Sequence, residues 1–413
     1  MNRWRKILSF VGPGYIIAVG YIDPGNWATN VAAGAISGFN LLFVVLISAV
    51  IGAILQGLVV RLATNSGLDL AQLIRQTFPR KYWFLVWTAA EIAMISTDLA
   101  ELLGVAIALN LLFRLDYVTG ILVGAAVSLT MLAVGPGQKK WTEKMIALLV
   151  AMVMAGLAYE YYLVSPDFAE VLKGYVPSID LVRNPELLYL GLGILGATLM
   201  PHNLFLHSAL ASRHFVDLDA AARRRIGRWL TIDSSLALAL ALVINSIILI
   251  VAAMAFRGST PGNEVGLRET WLLISVTLGT GGATIFALSL LAAGQSAITT
   301  CTLAGQIILD GFWRIRLPPF VRLAVTRGLA LIPALAVPIL WPHLSVDHLL
   351  ILSQVVLSFT LPIILLPILL LLYNRKIMTI QPMSRLSLAG ISLLVCALSL
   401  VNGWLVVQTI LAG

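Results

Sequence analysis

The sequence predicts an all-α polytopic membrane protein, built as two inverted five-helix repeats with an eleventh helix left over. Three observations carry that prediction. The chain of 413 residues is 59% hydrophobic and 11% charged, with a mean hydropathy of +0.95, whereas a soluble domain carries roughly 25% charged residues. Its apolar residues fall in runs of about 20 or more, the length that crosses a hydrocarbon core of roughly 30 Å. Two of those runs, at corresponding places in the chain, are interrupted by the same kind of break. The formal charge of +8 would invite a nucleic-acid partner, but the basic residues are scattered between apolar runs, so lipid is the expected surrounding and no nucleic acid is expected.

Apolar runs set against polar breaks give eleven spans, at 8–36, 41–63, 83–113, 117–134, 145–164, 186–212, 229–255, 271–308, 320–341, 345–373 and 387–411. Residues 1–413 then form one transmembrane domain, with a first repeat at 8–164, a second at 186–373 and the last helix at 387–411. The longest polar connections, near 164–185 and 213–228, leave no room for a separate soluble domain. Of the 27 Lys and Arg residues, 21 lie in the N-terminus and in alternate connections or the span ends that border them, five in the opposite connections, and one, Arg327, deeper inside a span. Basic loops stay cytoplasmic, so the N-terminus is expected inside and, after eleven crossings, the C-terminus outside. The absence of an Asn-x-Ser/Thr acceptor fits a bacterial inner (plasma) membrane. The basic N-terminus resembles the start of a signal peptide, but no small-residue cleavage site closes the first span. Cys301 and Cys396, both in apolar surroundings, read as buried small hydrophobes.

Span one contains Gly20-Tyr21-Ile22-Asp23-Pro24-Gly25-Asn26, and span six contains Ala197-Thr198-Leu199-Met200-Pro201-His202-Asn203. Each has a ligand-type residue, then Pro, any residue, and Asn. They lie 177 residues apart, each in the first span of a five-span block. Because five is odd, the second block enters from the other side, which is the sign of inverted repeats whose broken helices meet at the midplane. Proline has no N–H, so the carbonyl four residues back loses its helical partner; here those carbonyls belong to Gly20 and Ala197. The residue before each proline is driven from the α region. A bare carbonyl in hydrocarbon is tolerated only beside a cavity or ligand.

One site is therefore expected to gather the Asp23 carboxylate, the Asn26 amide oxygen, the Met200 sulfur and the Gly20 and Ala197 carbonyls. Oxygens alone suit Mg²⁺ or Ca²⁺ as well as Mn²⁺, whereas a thioether favours transition metals. A charge at membrane depth is functional by default, which singles out Asp23. Met200 also reads as core filling, and Asn26 as a cap on the restarted helix.

Span three holds Glu91, Asp98 and Glu101, whose offsets of seven and three place them on one helical face. With Arg327 as counter-charge they read either as a proton relay or as a static lock between helices. His202 titrates in a range suited to passing protons, and equally reads as a neutral, hydrogen-bonded histidine. Ser353 and Gln354 in span ten either complete a metal shell or bond across helices. The chain contains no phosphate-binding loop, nucleophile elbow or cysteine cluster. His202 and His207 are five apart, about 140° around a helix, unlike a metalloprotease pair. No enzyme is expected, and no cofactor.

At these residues the sequence resembles the Nramp family of proton-coupled divalent metal ion transporters. The matching stretches are Asp23-Pro24-Gly25-Asn26, Met200-Pro201-His202-Asn203, Thr97-Asp98-Leu99-Ala100-Glu101, Gly294-Gln295-Ser296 with Leu303-Ala304-Gly305-Gln306, and Leu352-Ser353-Gln354-Val355. The resemblance runs from about Gly12 to span eleven. It implies a leucine-transporter-type fold with helices 1 and 6 broken at the midplane, and import of Mn²⁺ or Fe²⁺, with Co²⁺, Cd²⁺ and Zn²⁺ as further candidates, together with H⁺. It implies metal binding by Asp23, Asn26, Met200 and the Ala197 carbonyl, with Gln354 joining in some states. Asp98, Glu101, His202 and Arg327 resemble the family's proton-path group. Met200 matters in this comparison because magnesium-transporting relatives lack a thioether there. Gly20 departs from the family's usual Ala and Asp310 from its commoner Glu. A monomer is the expected assembly. The alternatives are an amino-acid/Na⁺ symporter of the same architecture, which wants no acidic residue and Met facing each other, or a Mg²⁺-accepting relative.

Overall fold

The computed structural model describes residues 20–134, 139–178, 180–215, 218–257, 265–315, 317–341 and 345–412. The first half of span one, at 8–19, and the Gly135-Pro136-Gly137 turn lie outside the described residues. The remainder is helical throughout. In chain order the helices are α1 (Pro24–Ser37), α2 (Leu42–Ser66), α3 (Leu70–Thr77), α4 (Arg80–Phe113), α5 (Tyr117–Val134), α6 (Lys139–Val164), α7 (Phe168–Gly174) and α8 (Asp180–Arg183). There follow α9 (Pro185–Leu199), α10 (Pro201–Ser212), α11 (Ala220–Ala255), α12 (Leu267–Thr277), α13 (Gly279–Trp313), α14 (Pro319–Leu340), α15 (Val346–Tyr373) and α16 (Arg385–Ala412).

Local chemistry sets many of these ends. Proline opens α1, α9, α10 and α14, where its missing N–H removes nothing from the ladder. The side chains of Asp23, Asp69, Asp167, Asn184, Asp219 and Ser345 cap the helices that follow them. Helices occupy all eleven expected spans, with three differences. Span eight is two helices, because Leu278 ends one and Gly279 turns left-handed at φ +80° before the next begins. The connection at 213–228 is largely the first turns of α11, which runs 36 residues from Ala220. The connection at 164–185 carries the short α7 and α8, and α7 turns back from α6 by 117°.

The helices form two groups. α1, α2, α9, α10 and α11 pack on one another, and α4 packs on α5, α13 and α14. α15 joins the groups by packing on both α4 and α9. Buried apolar side chains separate into two main clusters rather than one. One takes Leu99–Leu111 of α4, Ile194 of α9 and Ile351 of α15. The other takes Trp83–Met94 of α4, Leu204 of α10 and Leu361 of α15. Between the two clusters these same helices bury Asp98, Glu101, Met200, Gln354 and Ser358. The fold thus sandwiches a polar layer between two apolar slabs, which keeps its polar groups from lipid while the slabs supply the burial.

Two glycines let α15 reach that layer. A Cβ on Gly25 would collide with the Gln354 side chain, and one on Gly196 with the Gln354 carbonyl and the Ser358 amide. Gly196→Ala should therefore destabilise by about 1–3 kcal/mol, the usual range for overpacking. Gly403→Ala, in open space on α16, should be neutral or stabilise by up to about 1 kcal/mol through helix propensity. Thermal unfolding of the detergent-solubilised variants reads both; equal shifts would remove the close-approach argument.

Candidate functional site

The site begins with the two proline breaks. Asp23 is extended at φ −68° and ψ 161°, and its Oδ1 accepts from the Asn26 backbone N–H at 2.9 Å. The cap of α1 is therefore Asp23, not Asn26. The Asn26 Nδ2 donates to the same Oδ1 at 2.7 Å and to the Ala197 carbonyl at 3.0 Å. That carbonyl is the one Pro201 deprives of its helical donor, so one amide ties the first break to the second. With its donors so engaged, Asn26 retains a buried Oδ1, and Asp23 a buried Oδ2, that no donor among the described residues reaches.

Met200 joins α9 to α10 in the left-handed region, at φ 31° and ψ 89°, rather than the extended conformation favoured before proline. Its fully buried sulfur accepts from Asn203 Nδ2 at 3.2 Å. Asn203 lies where a Cβ on Gly20 would stand, 2.7 Å from Nδ2. Gly20, having no Cβ, thus leaves room for the amide that touches Met200. The Gln354 side chain lies against Gly25, with Nε2 on Ser353 Oγ at 2.8 Å and Oε1 unpartnered. Asp23, Asn26 and Ala197 are thus joined by direct bonds, Gly20 and Met200 through Asn203, and Gln354 is placed against the first break. Asn203 was not singled out from sequence.

A second cluster sits in the same polar layer. Arg327 donates to the Glu101 carboxylate and, at 3.0 Å, to the Asp98 carbonyl, and lies 3.7 Å from Asp98 Oδ1. All three side chains are at most 1% exposed. Cys301 adds its Sγ at 3.4 Å from Asp98 Oδ1, and one ligand-type atom each of Asp98, Glu101 and Cys301 falls within a 4.8 Å span. Cys301 is buried within the second apolar cluster, as expected, and its sulfur also reaches the carboxylates. Cys396 is exposed on α16, contrary to expectation, because its helix packs on the rest along one side only. His202 is buried and approaches α4 through Thr97, with Nδ1 and Oγ1 3.5 Å apart.

Glu91 departs from the expected grouping. It takes Arg322, not Arg327, as partner: both carboxylate oxygens accept from Arg322 at 2.8 and 2.6 Å, and Trp87 Nε1 donates at 3.1 Å. Two turns of α4 separate it from Asp98, and it belongs with the aromatic cluster of Trp83, Trp87 and Trp313. Arg322, one turn inside α14, is 6% exposed.

The family model for natural resistance-associated macrophage protein-like chains, Nramp, matches residues 14–408. The chain belongs to the Nramp family. The divalent metal cation transporter MntH of a Nostoc species is 43% identical over 411 residues, covering 98% of this chain and 92% of its own. MntH of Listeria innocua is 41% identical over 366 residues, covering 88% and 82%. Among solved structures, the manganese transporter of Eremococcus coleocola superposes at a TM-score of 0.86 with 31% identity, over 97% of this chain and 86% of that one. Mhp1, a nucleobase-cation-symport-1 family transporter, superposes at 0.62 with 17% identity, over 91% and 80%. The last likeness concerns fold alone, and it agrees with the leucine-transporter-type architecture of this Nramp chain. As a family member it is a multi-pass membrane protein, and among the described residues six helices, together with α9 and α10 taken as one broken span, are long and apolar enough to cross a bilayer.

Glu91→Gln should strand the Arg322 charge and cost on the order of 2 kcal/mol, below the ~3–5 kcal/mol of a fully buried pair, because the Glu91 side chain is 15% exposed. Glu91→Gln combined with Arg322→Met should recover most of the loss in a thermal unfolding assay. No recovery would mean the pair is not what holds these helices.

Proposed function

We propose that this Nramp protein imports divalent transition metal ions, Mn²⁺ and Fe²⁺ foremost, together with protons by alternating access. The observation that carries the reading is the surplus of acceptors at the joined breaks. Among the described residues Asp23 Oδ2, Asn26 Oδ1 and Gln354 Oε1 are buried without donors, and the second break adds the buried thioether of Met200. That donor set is acceptor-only and part soft, which suits a dehydrated transition-metal cation over Mg²⁺. The names of the MntH relatives and of the manganese transporter support the same cargo.

In this reading metal enters from outside and binds Asp23, Asn26, Met200, the Ala197 carbonyl and, in some states, the Gly20 carbonyl and Gln354. Asp23 gives up any proton as metal arrives. The groups around the two breaks then rock to open the cytoplasmic side, while a proton leaves through Asp98, Glu101 and Arg327, with His202 beside them. Glu91 drops out of the relay, since Arg322 holds it apart. Inward movement of cation charge gains about 2.3 kcal/mol per elementary charge per 100 mV of membrane potential. The orientation proposed is N-terminus cytoplasmic and C-terminus outside, in the plasma membrane, with 8–164 and 186–373 as the two inverted repeats.

Reconstituted in liposomes with negative internal potential, the protein should take up Mn²⁺ saturably despite excess Mg²⁺, and Asp23→Ala should abolish uptake. Met200→Ala should let Mg²⁺ compete. Mg²⁺ inhibition of the unaltered protein would remove the thioether from selectivity, and absence of uptake under any gradient would reject metal as cargo. Asp98→Asn should reduce proton influx accompanying Mn²⁺ and flatten the pH dependence of uptake; an unchanged pH profile would take Asp98 out of the proton path.

A further inference from the structure

A cavity of about 740 Å³ lies between the C-terminal end of α2 and the start of α11, closed on one side by residues 380–382. Its rim carries Arg61, Arg224 and Arg228, and among the described residues no acidic one lines it. A second recess of 660 Å³ shares Arg224 and Arg228 and adds Arg225 and Trp229. Among the described residues none of these four arginines forms an ion pair. The floor is narrow because both helices are pared down where they meet. A Cβ on Gly57 would stand 3.2 Å from Thr231, and one on Gly227 would press on Thr64.

Below the arginines the walls turn apolar. Ile54 and Ile232 line the cavity and are 43% and 48% exposed, and the exposed stripe continues through Val50 on α2 and Leu236 on α11. Helices that cross a bilayer expose such stripes to lipid, and Trp229 marks the level where headgroups begin. The arginines therefore sit at headgroup height above a slot wide enough for an acyl chain. Three guanidiniums with no acidic partner in the lining call for an anion, and the apolar slot calls for a chain attached to it.

We propose that this groove is a binding site for one anionic phospholipid, its phosphate held by Arg61, Arg224 and Arg228 and an acyl chain laid along Ile54 and Ile232. Basic pockets between transmembrane helices bind acidic headgroups in this manner. The seated lipid bridges α2, α11 and the segment at 380–382, which is itself pinned to α2 by Asn65 Oδ1 accepting from the Ile380 and Gln381 amides at 2.7 and 2.9 Å. The lipid thus clamps the connection between α15 and α16 to the helices that pack on the site.

The test uses the full chain in neutral detergent, given phosphatidylglycerol or phosphatidylcholine with identical chains, with bound lipid counted by native mass spectrometry. Phosphatidylglycerol should be retained, phosphatidylcholine should not, and Arg224→Ala with Arg228→Ala should lower retention about tenfold or more. Arg375→Ala with Lys376→Ala removes equal charge from exposed positions outside the groove and should leave retention unchanged. Equal losses in the two pairs would reduce the effect to general adsorption and overturn the site. Excess inorganic phosphate should neither displace the lipid nor raise the melting temperature as phosphatidylglycerol does; if it does both, the groove is a free-anion site and the lipid assignment fails. Arg224→Lys with Arg228→Lys keeps the charge and should restore binding, which separates a lost site from a misfolded variant. Retention equal in all variants would overturn the proposal outright.

Discussion

A hydrocarbon interior offers no water to an unpaired peptide group, so a helix that breaks there must find partners elsewhere in the protein. The hydrogen bond from Asn26 Nδ2 to the Ala197 carbonyl meets that demand and, in doing so, determines the chemistry at the centre. The same nitrogen also serves Asp23 Oδ1, which takes the Asn26 backbone amide as well. Donors at the junction are consumed in holding the two breaks together, and oxygens are what is left over. A junction assembled this way is rich in acceptors and carries a carboxylate, whatever the neighbouring helices do.

The surroundings follow from that layer's position. α4 runs through both apolar clusters and presents Asp98 and Glu101 where they part. Two carboxylates at that depth require a cation, and Arg327 supplies it from α14. Cys301 and His202 complete the layer from α13 and α10. α15 spans the gap between the two helix groups and reaches the breaks only because positions 25 and 196 lack side chains.

What could be read from the sequence was what covalent chemistry or solvation compels. Proline must break a helix, so the ends of α1, α9 and α10 were visible, and charges in apolar runs stood out because lipid penalises them. The partnership of Arg327 with Glu101 and Asp98 was legible for the same reason. Side-chain partners set by helix register were not. Arg322 sits one turn inside α14, at a boundary that hydropathy blurs, so Glu91 was grouped by its face on α4 rather than by the helix opposite. Cys301 breaks no pattern and gave no local sign of its role, while Asn203 stood in the second break's motif with no partner assigned; only packing brings one to Asp98 and the other to Met200. The break before Gly279 falls inside an apolar run, where the glycines of Thr280-Gly281-Gly282 read equally as a helix end or as close packing.

The two breaks are alike in sequence but not in backbone energy. Asp23 rests in an ordinary extended conformation, whereas Met200 holds a positive φ that a side chain with a Cβ seldom adopts. Such a residue stores of the order of 1–3 kcal/mol, sustained by what packs around it. The joint between α9 and α10 is thus cocked and the joint before α1 is not, so any loosening of the surrounding contacts has a downhill direction at one end only. Two breaks written with the same motif thus differ in stored strain, and the thioether sits on the strained one.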